Sequence, residues 1–222
     1  MFNFYGNLKI RDYKNLLLFP INMEKEAIER TLKGRGIYVQ IDYLREISKK
    51  NLSISNKIFV YEKLGELYQQ VKMMKDAAHA YDGLAIVSVS FVEKMKNYVK
   101  EAQLYIMAGE FERAEEAMNK AMAQGNAREK AEIYFAIKQF YRQQGAKYEK
   151  ETRRANAARI YERLLQMSIS TGEREEIREK LLNIYEKLGD VKRYFSLKRS
   201  NIHKKPEEKK PERERDIDID FL

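Results

Sequence analysis

The sequence predicts an all-α protein, a right-handed α-solenoid of antiparallel helix pairs. A Tyr-x2-Leu-Gly-x2-Tyr motif at residues 61–68 is followed by Ala77 and Tyr81, and a similar pattern returns over residues 98–121. Only 3 Pro and 10 Gly occur among 222 residues, of which 35% are charged, and this composition favours long surface helices over a sheet. A stack of similar units presents an extended surface, so binding is expected before chemistry.

Residues 1–54 are predicted to be an aromatic lead-in followed by two capping helices. Pro20 ends the lead-in, and helical stretches are expected over residues 24–32 and 38–50, with two glycines between them. The second stretch carries apolar residues at three-residue spacing on one face. This pair is interpreted as an atypical first unit that caps the stack.

Residues 55–202 are predicted to be the helical repeat domain, in which tyrosines mark the end of each first helix. A residue four positions after each tyrosine is expected to turn the chain, and glycine there tolerates a left-handed backbone. The predicted pairs are Tyr68 with Lys72, Tyr105 with Gly109, Tyr141 with Gly145 and Tyr185 with Gly189, at intervals of 37, 36 and 44 residues.

The second helices are recognised by small residues where two helix backbones must approach. They are Ala77, Ala78 and Ala80, then Ala114 and Ala117, then Ala155, Ala157 and Ala158. The longer last interval coincides with the charged stretch 147–154, which is either a loop or two extra turns at the start of the following helix. The helical extension is favoured because the stretch contains no Pro and no Gly. Ser170-x2-Glu173 predicts a capping box at the last pair.

These residues resemble the tetratricopeptide repeat family, whose pattern is a bulky residue, Leu-Gly, Tyr, and then Ala and an aromatic residue in the second helix. The match is nearly complete at Tyr61, Leu64-Gly65, Tyr68, Ala77 and Tyr81. The resemblance covers roughly residues 55–200. It implies the solenoid fold with a concave groove lined by the first helices, but no particular function, since the family serves many assemblies.

The resemblance implies a partner-binding groove along the first helices. The position two before each predicted marker tyrosine is Glu66, Gln103, Gln139 or Asn183, and Glu62, Gln69, Lys96, Phe135 and Arg142 are expected to border the same groove. Side-chain amides can both donate to and accept from the backbone of an extended peptide. The alternative is that these are ordinary polar residues of exposed helix faces. Glu62 and Glu66 stand where a carboxylate clamp would need Lys and Asn, so no such clamp is predicted.

Residues 203–222 are predicted to be a disordered, charged tail that ends in an acidic and hydrophobic peptide. Aspartates alternate with apolar residues from Asp216 onward, which suits a strand added to a partner's sheet edge. Ile217, Ile219, Phe221 and Leu222 are the predicted docking residues. The alternative is a solubilising, frayed end.

Positive charge lies at the two ends of the predicted folded body. Residues 1–57 and 128–202 carry net charges of +5 and +7, against −2 for 58–127 and −1 for 203–222. The candidate basic patch comprises Lys147, Lys150, Arg153, Arg154, Arg159 and Arg163. Such a pole attracts nucleic acid, anionic lipid or an acidic protein, or it merely keeps helix faces solvated.

The sequence favours a non-enzymatic adaptor or scaffold that binds a peptide or helix of a protein partner in its groove. The alternative is a nucleic-acid-associated protein that binds through the basic repeats. With 2 His, no Cys and no Gly-rich phosphate loop, no catalytic residue, metal site or cofactor is predicted. The lack of Cys and of a signal-like start predicts a cytoplasmic protein without a transmembrane segment. The partner and the oligomeric state stay open.

Overall fold

A computed structural model describes residues 25–199, which form ten α-helices and contain no strand. The all-α class is therefore confirmed for this part of the chain. The predicted lead-in before residue 25 and the predicted tail after residue 199 lie outside the described residues. The helices are α1 Lys25–Leu32, α2 Ile37–Ser48, α3 Ile54–Gln70, α4 Met74–Val87, α5 Phe91–Ala108, α6 Phe111–Ala123, α7 Ala127–Lys150, α8 Arg154–Gln166, α9 Thr171–Leu188 and α10 Val191–Arg199.

From α2 to α10, each helix packs against the next one along the chain, and α5 also contacts α7 directly. Most of the predicted alanines lie where second helices meet their neighbours, but the prediction is wrong at Ala155, which is exposed in the first turn of α8. Ala77, Ala78, Ala114, Ala117, Ala157 and Ala158 are all at most 2% exposed. Because alanine has no side chain beyond Cβ, two helix axes can come close at these positions without a cavity.

The helices α3, α5, α7 and α9 end in the same way. In each, the carbonyl of a tyrosine accepts a hydrogen bond of 2.8–3.0 Å from the N–H five residues later, and the residue between them at position four has a positive φ. These pairs are Tyr68 with Lys72 (φ 60°), Tyr105 with Gly109 (77°), Tyr148 with Thr152 (57°) and Tyr185 with Gly189 (69°). The turns predicted at Gly109 and Gly189 are confirmed.

The turn predicted at Gly145 is wrong, because Gly145 lies buried inside α7 and the chain turns at Thr152 instead. A Cβ on Gly145 would lie 2.6 Å from Cε1 of Tyr161, so the glycine lets an aromatic ring lie against the helix backbone. Gly65 has the same relation to Tyr81, at 2.8 Å. The marker tyrosine of this unit is thus Tyr148, two helical turns after Tyr141.

The helical extension predicted for residues 147–154 at the start of α8 is wrong, because residues 147–150 end α7 and α8 begins only at Arg154; α7 is the longer helix. From the first residue of the helix to its left-handed residue, α3, α5 and α9 span 18 positions each, whereas α7 spans 25. The excess of seven positions is about two turns. Residues 127–133, which we name the α7 extension, account for it at the start of the helix.

Side-chain caps fix the starts of α7 and α9. The predicted capping box at α9 is confirmed, since Ser170 Oγ accepts from Glu173 N at 3.3 Å and Glu173 Oε2 accepts from Ser170 N at 2.9 Å. Asn126 and Glu129 form a second such box at the start of the α7 extension. Each box satisfies N–H groups that the first helical turn leaves free.

Candidate partner-binding groove

An open groove of about 460 Å³ lies between α5 and α7. We name it the α5–α7 groove. It is lined by Val92, Met95, Lys96, Val99, Lys100 and Gln103 from α5 and by Glu129, Glu132 and Ile133 from α7. All three α7 residues belong to the α7 extension, so the additional two turns of that helix supply one wall.

The α5 wall follows from a second stripe of residues on that helix. Val92, Met95 and Val99 recur at intervals of three and four, which places them on one face, with Lys96, Lys100 and Gln103 beside them. Another face of α5 is buried against neighbouring helices through Ala102, Leu104, Tyr105 and Ile106. The helix therefore supports the stack with one face and offers an apolar stripe with flanking lysines on the other.

The charged side chains on the two walls of the groove differ in whether they have partners. Lys96 and Lys100 make no ion pair within residues 25–199; Lys100 Nζ lies 6.0 Å from the ring centroid of Tyr81. Across the groove, Glu129 Oε2 accepts from the N–H of Asn126 at 2.8 Å, and Glu132 pairs with Arg128 at 2.9 Å. The lysine wall is available for an anion, whereas the carboxylates of the other wall already have partners.

Exposed apolar residues also occur at the turn between α4 and α5, just before Val92 in the sequence. Ile86, Val89 and Phe91 are 64%, 77% and 66% exposed, and we name these three residues the apolar lip. Buried Ser88 holds the turn in place, because its Oγ donates to Leu84 O at 2.7 Å and accepts from Asn97 Nδ2 at 3.1 Å. Large apolar side chains kept in water by a well-anchored turn are typical of a contact surface.

The predicted groove residues fall into separate places. Lys96 and Gln103 line the α5–α7 groove. Glu66 lines a different groove of about 420 Å³ between α1, α2 and α3, and Glu62 is exposed on α3. Gln69 uses its amide within the fold, because Nε2 donates to Gly65 O at 3.0 Å and lies 3.3 Å from Tyr81 Oη. As a continuous rail these residues stay a prediction.

The remaining predicted residues lie on α7 and α9. Phe135 is 56% exposed with Lys138 Nζ 5.8 Å from its ring centroid, Gln139 is half-buried, and Asn183 is exposed. Arg142 spans the α7–α9 junction, where it contacts Glu173 at 3.1 Å and Glu176 at 2.8 Å. Lys138 joins the same cluster at 3.3 Å from Glu173. Ion pairs thus link α7 to α9.

The residues of the basic patch differ in their partners, and most of them are exposed. Arg159 donates to Gly109 O at 3.1 Å, and Arg163 pairs with Glu115. Lys147 and Arg153 both approach Glu151, at 4.0 and 3.6 Å. Lys150 and Arg154 are exposed and make no ion pair within the described residues. The predicted docking residues Ile217, Ile219, Phe221 and Leu222 lie outside the described part of the chain.

Glu101 and Glu173 have opposite pKa shifts. Burial, reinforced by nearby Asp82, raises the pKa of Glu101 to about 7, although Lys120 lies 3.4 Å away. The Oε2 atom of Glu101 has no hydrogen-bond partner among residues 25–199. In contrast, the backbone N–H of Ser170 and the ammonium of Lys138 lower the pKa of Glu173.

Within 25–199, no three His, Asp or Glu side chains gather in a way that could hold a metal ion. No helix in that range combines the length and the hydropathy required to cross a bilayer.

Sequence reasoning missed Val92, Met95, Val99, Lys100 and Ile133 as groove residues. The signal for the α5 members was present, since apolar residues recur at helical spacing on a second face of that helix. Ile133 could not be found, because the α7 extension was placed at the wrong end of the unit.

No family model matches the chain, and no curated protein matches it. Among solved structures, the crystal structure of MamA is similar at 17% identity over 81% of this chain and 96% of that chain, with a TM-score of 0.35. The crystal structure of BtubC (BKLC) from P. vanneervenii is similar at 18% identity over 88% of this chain and 85% of that chain, with a TM-score of 0.33. Likenesses at this level do not indicate what the chain binds.

Proposed function

We propose that this protein is a non-enzymatic adaptor, a right-handed solenoid of helix pairs whose α5–α7 groove binds a segment of a protein partner. The observation that carries the proposal is the groove itself, an apolar stripe flanked by two lysines that have no ion pair within residues 25–199. A cytoplasmic location, suggested by the absence of Cys, is part of the same proposal.

The groove selects the chemistry of its occupant. Val92, Val99 and Ile133 offer apolar contacts, so side chains such as Leu, Ile or Phe lose water-exposed area on binding. Lys96 and Lys100 attract negative charge on the α5 side, while on the other side Glu132 pairs with Arg128 and Glu129 accepts a hydrogen bond from the N–H of Asn126. We therefore infer that the partner segment is acidic and apolar, and that a basic segment is rejected.

The nucleic-acid alternative has less support. Arg159 and Arg163 join helices of the fold, and Lys147 and Arg153 have a nearby carboxylate. Neutralised cations release few counterions on binding a phosphate backbone. This alternative stays a prediction, and the peptide experiment includes it as an arm.

The test uses three fluorescein-labelled peptides, Glu-Leu-Glu-Leu-Glu-Phe-Leu, its Lys-for-Glu analogue and its Ser-for-Glu analogue, together with a single-stranded 20-mer DNA. Binding is followed by fluorescence anisotropy with the full chain and with a chain carrying Ile217→Ser, Ile219→Ser and Phe221→Ser. We expect the acidic peptide to bind at least tenfold more tightly than the basic peptide.

Matched charge reversals locate the site. Lys96→Glu with Lys100→Glu should weaken binding of the acidic peptide at least tenfold. Lys187→Glu with Lys192→Glu makes the same change of charge at exposed positions of α9 and α10 and should leave binding unchanged. Equal weakening by both double variants, or binding of the DNA alone with a steep salt dependence, would refute the proposal.

A further inference from the structure

We infer that residues 216–222 of this chain occupy its own α5–α7 groove in the absence of a partner. The inference rests on the proposed function, because it assigns an occupant to the same groove. It goes further by giving the protein an internal competitor that a partner segment must displace.

Charge complementarity selects this segment. Residues 216–222 carry three aspartates alternating with Ile217, Ile219 and Phe221, and they end in Leu222. Lys96 and Lys100, which make no ion pair within residues 25–199, suit the acidic side chains of this segment. Val92 and Val99 beside them suit its apolar side chains. Residues 1–24, the other part of the chain outside the structure, contain three cations and two acids, so their charge does not suit the lysine wall.

The length of the segment suffices to cover the groove. Seven residues in extended form cover about 23 Å at ~3.3 Å per residue. From Val92 to Gln103 the groove runs along eleven residues of α5, about 16 Å at ~1.5 Å per residue, which accommodates about five of the seven residues in extended form. In an extended peptide Ile217, Ile219 and Phe221 share one side and can lie on the apolar stripe, while the three aspartates and Leu222 share the other side.

The start of the tail is close enough to reach the groove. Arg178 of α9 donates to the carbonyl of Leu197 at 2.7 Å, which places the end of α10 beside the first half of α9. From α9 to α5 is two steps between neighbouring helices, about 20 Å at ~8–10 Å per step. Residues 200–215 are sixteen residues and span at most about 55 Å, so the connection has length to spare.

Location of the tail is tested by photo-crosslinking from position 221. The full chain is made with Phe221 replaced by p-benzoylphenylalanine and irradiated at low micromolar concentration, and the products are mapped by mass spectrometry. We expect adducts on the α5–α7 groove, such as on Met95, Val99 or Ile133, and on the apolar lip. Lys96→Glu with Lys100→Glu should remove them, whereas Lys187→Glu with Lys192→Glu should retain them.

Isotope mixing separates an internal contact from one between two copies. In an equal mixture of ¹⁵N-labelled and unlabelled chains, an internal contact gives adducts of a single isotopic composition. Adducts of mixed composition would show that a second copy fills the groove, and adducts scattered over the surface would show that the tail has no site there. Either result overturns the inference.

Peptide affinity supplies an independent readout. If the tail fills the groove for nine-tenths of the time, the apparent Kd of Glu-Leu-Glu-Leu-Glu-Phe-Leu is tenfold weaker for the full chain than for the chain with the three tail substitutions. Equal, measurable affinities would overturn the inference and leave the proposed function standing. Absence of binding to both chains would overturn both.

Discussion

The junctions α5–α7 and α7–α9 share a helix but differ in what lies between their helices. At α7–α9, Lys138 and Arg142 form ion pairs with Glu173 and Glu176 that link the two helices. At α5–α7, Lys96 and Lys100 have no such partners in the described chain, and the space stays open. One helix can therefore be tied to its neighbour on one side while bordering a binding surface on the other.

The register of the left-handed turns explains this difference residue by residue. Counted back from the turn residue, Val99 of α5 stands at the place that Arg142 has in α7, and Met95 stands at the place of Lys138. Ala136 of α7 likewise stands at the place that Glu173 has in α9. Charged side chains therefore link the helices at the α7–α9 junction. Small or apolar side chains stand at the corresponding positions of the α5–α7 junction, which stays open.

The largest expected effect comes from disturbing the shared helix. Gly145→Ala puts a Cβ within 2.6 Å of the buried Tyr161 ring and should destabilise the protein by about 2–3 kcal/mol. Gly172→Ala in α9 meets nothing within 4 Å and should be neutral or stabilising by less than about 1 kcal/mol. Urea unfolding of both variants checks this, and similar midpoints for the two would contradict the packing role of Gly145.

The opposite pKa shifts predict opposite pH responses of the two regions. The pKa of Glu101 is raised to about 7 in the folded state, so the folded chain holds a proton that the unfolded chain has lost, and stability falls as pH rises from about 4.5 to about 7. Glu101→Gln removes this loss and should stabilise the protein at pH 8 by on the order of 2 kcal/mol relative to its effect at pH 4.5.

The lowered pKa values of Glu173 and Glu176 act in the other direction. Their contribution to stability is present above the unfolded pKa near 4.5 and is lost as pH falls through the lower folded pKa values. Urea unfolding from pH 3 to pH 8, for the parent chain and for Glu101→Gln, separates the loss of stability at low pH from the loss between about pH 4.5 and pH 7. A curve for Glu101→Gln parallel to the parent between pH 4.5 and pH 7 would contradict the assignment.

Transplanting the sealed arrangement should close the open junction. Val99→Arg with Ala136→Glu places an arginine and a glutamate at the positions corresponding to Arg142 and Glu173. We expect binding of the acidic heptapeptide to weaken about tenfold, which is about 1.4 kcal/mol. Val99→Arg alone adds a cation without its partner and serves as the control. Anisotropy that shows unchanged affinity for the double variant would separate the groove from peptide binding.

The smallest expected effect is the loss of a single cation at each junction. Arg142→Met removes two ion pairs on a side chain that is 27% exposed and should cost about 0.5–1 kcal/mol. Lys96→Met removes no ion pair seen within residues 25–199 and should change the stability by less than about 0.5 kcal/mol. Thermal unfolding at low salt compares them, and a larger loss for Lys96→Met would show that its charge already serves the fold.

The helix-pair architecture was accessible from sequence because its signals are local. Gly109 and Gly189 end helices through a backbone conformation that glycine adopts without strain, and the alanines mark close helix contacts wherever they recur. Lys72 and Thr152 make the same turn without glycine. The residue type at position 152 therefore did not indicate that the chain turns there. The misplacement of the third turn followed from this.

Tyr141 and Tyr148 also illustrate an ambiguity of helical periodicity. They are seven residues apart, lie on the same face and are both buried, so pattern alone does not tell which of them ends the helix. Glycine-to-tyrosine spacing could have decided it, since Gly65 to Tyr81 and Gly145 to Tyr161 are both sixteen residues. The open groove could be found only from the structure. It depends on which glutamates cap their own helix and which form ion pairs with a neighbouring helix.

The length of the α7 extension has a consequence for how such a chain can vary. Seven added residues bring the start of the helix back to within about 20° of its original direction, whereas five would turn that start by about 140° and redirect the connection from α6. A block of seven therefore leaves the direction of that connection almost unchanged. Adding or removing such a block at the start of α7 would lengthen or remove the α7 wall of the α5–α7 groove. The other described helices would keep their contacts, so the start of α7 is a suitable place for divergence and for grafting.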